Sequence, residues 1–102
     1  MTPKSLKYPR VLIKLSGEAL AGDKGFGLDH ETINRLCDEV VAVIKTGASV
    51  GLVIGGGNIV RGTHLAKMGM ERVAADYMGM LGTVINALAV QDLLERKGID
   101  TR

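Results

Sequence analysis

Apolar residues along this chain fall into two short continuous runs and two long periodic ones. Val11-Leu12-Ile13, within residues 10–16, and Val50-Gly51-Leu52-Val53-Ile54, within residues 49–54, are unbroken enough to predict buried strands of a parallel sheet covered on both faces. Between them, Ile33, Leu36, Cys37, Val40, Val41 and Ile44 recur with i, i+3, i+4, i+7, i+8, i+11 spacing. That period predicts a core-facing amphipathic helix, with Asp29 as its N-cap and Gly47 closing it. Strand, long helical connection and strand together imply a right-handed parallel crossover. A short helix is expected from about Asn58 to just before Gly69.

The longest helical pattern runs from about Met70 to Lys97, and between Tyr77 and Leu94 apolar or small residues cover most of its circumference. Such a helix needs two apolar neighbours. One is the sheet. The other is expected to be a partner subunit, with Gly79, Gly82 and Ala87 permitting close approach and Met78 and Met80 filling irregular gaps. Gly98 stops the pattern, and Ile99-Asp100-Thr101-Arg102 reads as the approach to a third strand, so the chain is expected to end mid-fold.

Composition narrows the function classes. With 102 residues and 46% hydrophobic content, the chain supports one modest core. A net charge of +2, with no run of five like charges, argues against nucleic acid as a partner. Cys37 stands alone, so no intramolecular disulfide or cysteine-based metal cluster forms, and the composition suits a reducing cytosol. Residues 1–9 read as an N-terminal tail; they carry Lys4 and Lys7 but no apolar core of a secretory signal. The run at 50–54 is too short to span a bilayer, and the long helical pattern contains Asp76 and several glycines. The expectation is a soluble cytoplasmic protein with no membrane partner.

The candidate chemistry lies at the strand ends. Gly55-Gly56-Gly57-Asn58 follows the second apolar run directly and is followed by Arg61, a pattern in which main-chain N–H groups crowd around an anion. Lys14-Leu15-Ser16-Gly17 ends the first strand with a lysine just before a small-residue turn. In an open parallel sheet, ligands sit outside the carboxyl ends of the strands, so the two loops are placed to share one phosphate-bearing ligand. Neither established phosphate signature is present. No Gly-x-x-x-x-Gly-Lys-Ser/Thr occurs, and the dinucleotide fingerprint fails at Val60 when read from Gly55 and at His30 when read from Gly25.

Each residue also has a plain reading. The glycines suit a tight strand-to-helix turn. Lys14 suits a strand-end lysine reaching water, or an ammonium bridging phosphoryl oxygens. Arg61 suits a surface position or a bidentate phosphate clamp. Asp76, among small and apolar residues, suits solvation, a partner or a ligand hydroxyl. His30 and His64 lack metal-site spacing, no metal site is expected, and Cys37 sits in the apolar stripe as inert core.

The motifs Lys14-Leu15-Ser16-Gly17-Glu18-Ala19-Leu20, Gly25-Phe26-Gly27, Val53-Ile54-Gly55-Gly56-Gly57-Asn58 with Arg61-Gly62, and Asp76-Tyr77-Met78-Gly79-Met80 occur in order from about residue 10 to the end. In this combination the chain resembles the bacterial uridylate (UMP) kinases of the amino acid kinase superfamily. The resemblance implies an α/β fold, a three-layer αβα arrangement on a mainly parallel sheet, here truncated. Residues 10–102 would form the UMP-binding part, with the ATP-binding half absent.

The implied reaction is transfer of the ATP γ-phosphoryl group to UMP, with Mg²⁺ accompanying ATP, in pyrimidine nucleotide biosynthesis. The resemblance implies Lys14 and Arg61 as catalytic residues and Lys14, Leu15, Ser16, Gly17, Gly57 and Arg61 at ATP. It places Gly56 and Asp76 at UMP. Gly22, Asp23, Lys24, Gly25, Phe26 and Gly27 correspond to a region tied to allosteric activation by GTP, and the implied assembly is a homohexamer. Because only part of a family member is covered, the chain alone is expected to be inactive or weakly active. Two other readings stand beside this one: a relative with a carboxylate or carbamate acceptor, and a non-catalytic module that binds nucleotide or dimerises.

Overall fold

The computed structural model describes residues 5–102, and Met1–Lys4 of the predicted tail lie outside the described residues. Two strands, β1 (Arg10–Leu15) and β2 (Ser49–Ile54), pair in parallel, with Arg10 opposite Ser49 and Leu15 opposite Ile54. Ser49 N–H donates to Pro9 O at 2.9 Å and Gly55 N–H to Leu15 O at 3.0 Å, so the ladder continues one step past each end. The shared register brings the carboxyl ends of both strands to the same edge, from which both candidate loops leave.

The connection from β1 to β2 holds α1 (Gly17–Ala21), a 3-10 turn (Gly22–Lys24) and α2 (His30–Lys45). α1 was not anticipated from the sequence. Its five residues are too few for a periodic signal, and it starts because Ser16 Oγ accepts the Ala19 N–H at 3.2 Å. Asp29 caps α2 as expected: its Oδ2 accepts the Thr32 N–H at 3.2 Å and the Thr32 hydroxyl at 2.6 Å. These bonds favour the charged form and hold the Asp29 carboxyl below its usual pKa, with Lys24 at 3.6 Å contributing less.

The apolar stripe of α2 buries Ile33, Cys37, Val40 and Val41. They meet Leu20 of α1 and Val90, Leu93 and Leu94 of the last helix, with Val50, Leu52 and Ile54 of β2 half-buried beneath. Burial raises the Cys37 pKa, which keeps the thiol protonated and agrees with an inert core role.

After β2 the chain forms α3 (Gly62–Lys67) and α4 (Arg72–Arg96). The short helix therefore starts at Gly62 and not near Asn58, and Arg61 stands just before it in an extended conformation. Residues 56–60 are turn instead, with the Ile59 and Val60 N–H groups both donating to Gly56 O. Nothing in the local pattern separates a turn of this kind from a first helical turn.

Two further expectations change. Strand residues alternate between a half-buried face and an open one, and Leu12 on the open face is 72% exposed. The sheet of this α/β fold is thus covered on one face among the described residues, although its apolar runs suit cover on both. Gly82, expected to admit a partner subunit, is buried within the chain itself. A methyl group there would lie 3.2 Å from Gly56 O. By length and composition α4 is apolar enough to cross a bilayer, but Ala75, Gly82, Asn86, Val90, Leu93 and Leu94 form a buried flank along it.

Candidate functional site

The loops that follow β1 and β2 meet at main-chain distance. A methyl group on Gly17 would lie 2.6 Å from Gly57 N and 3.0 Å from Asn58 N, and one on Gly55 would lie 3.3 Å from Gly17 N. On the other side the turn rests on α4. A methyl group on Gly56 would lie 2.6 Å from Thr83 N and 2.8 Å from Gly79 O. Gly55, Gly56 and Gly57 have no positive φ; Gly55 and Gly56 are glycines because three backbones approach each other, whereas a methyl group on Gly57 would meet the Glu18 carboxylate.

This approach leaves donors at the surface of the corner. The Gly56 and Gly57 N–H groups make no hydrogen bond among the described residues, and both residues are half-buried. Arg61 reaches back over the turn, where its Nη2 sits 2.9 Å from Glu18 Oε1 and its Nε donates to Gly57 O at 3.3 Å. Both partners of this ion pair are about half exposed, so it is screened by water and weakly held. A phosphate dianion, richer in charge than one carboxylate, is a stronger partner for the same guanidinium.

Other sequence-predicted residues are placed less centrally. Lys14 lies on the open face of β1, opposite Val53, one residue short of the strand end. The Leu15 side chain lies on the half-buried face, so only its main chain is directed to the corner. The Ser16 hydroxyl is engaged in capping α1. Asp76 is exposed on the first half of α4, where its Oδ1 accepts from Arg72 Nε at 3.1 Å and lies 3.0 Å from where a Gly62 methyl would stand. It therefore flanks the Arg61-Gly62 step.

The segment from Gly22 to Gly27 leads from α1 toward α2. Gly22, Gly25 and Gly27 have φ of 59°, 77° and 71°, a backbone only glycine adopts without strain. Phe26 stands out at 74% exposed. Of this segment only Gly27 bonds to the glycine turn, through its N–H to Asn58 O at 2.8 Å and through its carbonyl, which accepts Asn58 Nδ2 at 2.7 Å.

Asn86 is the residue sequence reasoning overlooked. Fully buried in α4, it bonds Asn58 and Gly55 O, and Asn58 itself is only 2% exposed. The available signal was a lone amide in Val84-Ile85-Asn86-Ala87-Leu88, because a polar group buried in an apolar stretch requires a partner. Glu18, the partner of Arg61, was likewise given no role.

The donors at this corner are main-chain N–H groups and the Arg61 guanidinium. They fit phosphate oxygens and do not fit a bare cation, so a divalent ion arriving with a nucleoside triphosphate would take its ligands from that nucleotide's oxygens.

Comparison with known proteins follows the same line. The profile of the amino acid kinase family matches residues 9–102. Uridylate kinases of Xanthomonas axonopodis pv. citri and Xanthomonas campestris pv. campestris are each 60% identical to this chain over 97 residues. The match covers 95% of this chain and 40% of theirs, so the chain spans about two fifths of the length of these curated relatives. Among solved structures, a UMP kinase from Bacillus anthracis superposes with a TM-score of 0.82 at 43% identity, covering 88% of this chain and 37% of its own. One from Ureaplasma parvum gives 0.84 at 36% identity, covering 93% and 42%.

Proposed function

The chain belongs to the amino acid kinase family, and from that premise we propose that it carries the acceptor side of a UMP kinase, which transfers the γ-phosphoryl group of ATP to UMP. The observation that carries this reading is the convergence of the two strand-end loops, which sets the unbonded Gly56 and Gly57 N–H groups beside Arg61.

In this reading the phosphate of UMP lies over the glycine turn and takes a hydrogen bond from Gly56, while Gly57 donates to the ATP phosphates beside it. Arg61 exchanges Glu18 for phosphate oxygens, and Asp76 accepts from a ribose hydroxyl. Lys14, with the main chain of Leu15, Ser16 and Gly17, faces the ATP phosphates and neutralises charge that develops on the group in flight. Phosphoryl transfer needs alignment and charge neutralisation more than covalent chemistry, and the acceptor oxygen belongs to the substrate. That is why no nucleophilic side chain is required. Mg²⁺, held by ATP oxygens, supplies further neutralisation when bound.

The finer parts of the proposal follow the family resemblance. Residues 10–102 form the acceptor part and the chain alone is expected to turn over slowly or not at all. It works in the cytoplasm, in pyrimidine nucleotide synthesis. GTP acts on the Gly22–Gly27 segment, whose exposed Phe26 offers a stacking surface. Copies assemble as a homohexamer through the open flank of α4, where Val73, Tyr77, Leu81, Val84 and Leu88 are exposed.

Calorimetric titration tests the substrate class. UMP is expected to bind, acetylglutamate is expected not to, and Asp76→Ala is expected to weaken UMP by tenfold or more. Binding of acetylglutamate in preference to UMP would replace the nucleotide reading with a carboxylate acceptor, and an unchanged UMP affinity in the variant would remove Asp76 from the site.

A further inference from the structure

Asn58 and Asn86 face each other as a reciprocal amide pair. Asn58 Nδ2 donates to Asn86 Oδ1 at 3.1 Å and Asn86 Nδ2 donates to Asn58 Oδ1 at 2.6 Å. The second N–H of each amide goes to a main-chain carbonyl at 2.7 Å, Gly27 O for Asn58 and Gly55 O for Asn86. All four amide hydrogens are thus bonded. The orientation of each side chain is determined, because turning either one over would set its oxygen against a carbonyl oxygen.

The positions of these bonds matter more than their number. Gly55 and Asn58 are the two ends of the four-residue turn, and both ends are bonded to the same residue of α4. Between them lie Gly56 and Gly57, with their unbonded N–H groups. Asn58 also bonds Gly27 from both sides, through its side-chain N–H and its own carbonyl. One buried residue in the middle of a 25-residue helix therefore holds the turn at both ends and, through Asn58, holds the neighbouring loop. An aliphatic side chain at position 86 would fill the same space and hold neither.

We propose that Asn86, acting through Asn58, is a positioning residue that aims the Gly56 and Gly57 N–H groups at the phosphates of the two nucleotides and makes the glycine turn and the Gly27 loop move as one unit. Both side chains are buried, so the pair is taken to act through the turn and not on substrate. The use of the device for UMP rests on the functional reading above, whereas its mechanical part stands on the hydrogen bonds alone.

Asn86→Asp keeps shape and removes both donors, and it is tested in the full chain by two readouts. In hydrogen exchange without ligand, Gly27 N–H is expected to exchange at least tenfold faster, although residue 86 does not touch it, while Val40 and Val41 N–H of α2 keep their protection. In titration below the variant's thermal midpoint, which the unpaired Gly55 and Asn58 oxygens are expected to lower, UMP affinity is expected to fall at least tenfold. A folded variant with unchanged Gly27 exchange overturns the mechanical coupling, and one with unchanged UMP affinity overturns the positioning role. If the parent chain binds no UMP, the functional reading fails and the exchange arm still decides the coupling. If the variant does not fold, the parent decides it: the Asn58 and Asn86 side-chain N–H and the Gly27 N–H share one opening rate, and unrelated rates overturn the proposal.

Discussion

The corner where the two loops meet and the core between α2 and α4 are built on opposite principles. The core is made by filling space: Leu20, Ile33, Val40, Val90 and Leu94 interdigitate, and its stability comes from apolar surface removed from water. The corner is made by leaving space out. Gly17, Gly55, Gly56 and Gly82 let three backbones approach, and two buried amides supply the specific bonds. The core should therefore suffer from side chains made smaller, and the corner from side chains made larger.

The sharpest form of that contrast is a pair of alanine substitutions. Leu20 is fully buried, and Leu20→Ala is expected to remove about 2–5 kcal/mol by leaving a cavity, read from the denaturant midpoint. Gly56→Ala adds one methyl group 2.6 Å from a main-chain nitrogen of α4 that cannot step aside, and about 1–3 kcal/mol is expected to be lost, together with UMP affinity. A Gly56→Ala chain with parental stability would break the contrast, since it would mean the corner has room.

A finer comparison lies within α4. A methyl group on Gly79 meets nothing within 4 Å, so Gly79→Ala is expected to stabilise by about 0.5–1 kcal/mol through helix propensity. Three residues on, Gly82→Ala gains the same propensity but presses on Gly56 O and Ile59, and it is expected to destabilise. Thermal midpoints of the two variants should move in opposite directions. Movement in the same direction would place the turn farther from α4 than described.

The smallest effect concerns pH at the start of α2, where Asp29 bonds Leu20 O through its main chain and turns its carboxyl to Thr32. The Asp29 carboxyl has a lower pKa folded than unfolded, so it binds a proton less readily in the folded state. Its contribution is present in full at neutral pH and is lost as pH falls through the depressed folded value. Stability measured from pH 7 downward should decline less in Asp29→Ala than in the parent, and parallel curves would show that the cap bonds do not favour the charged form.

Much of the fold was legible in the chain itself, because periodicity and punctuation are local properties. The stripe from Ile33 to Ile44 located α2, Asp29 its cap, and the runs at 10–16 and 49–54 the two strands, for reasons contained within a few turns of chain. The glycine turn and Arg61 were likewise marked by their place at a strand end. What lay outside local reach was decided by neighbours distant in sequence. The open face of Leu12, the close approach of Gly82 to Gly56, the pairing of Glu18 with Arg61 and the meeting of Asn58 with Asn86 all join segments that no short window contains. Sequence determined which residue types stand at the strand ends. Only the packing of three backbones at one corner determined which way their N–H groups point, because that direction is set by atoms up to 31 residues away.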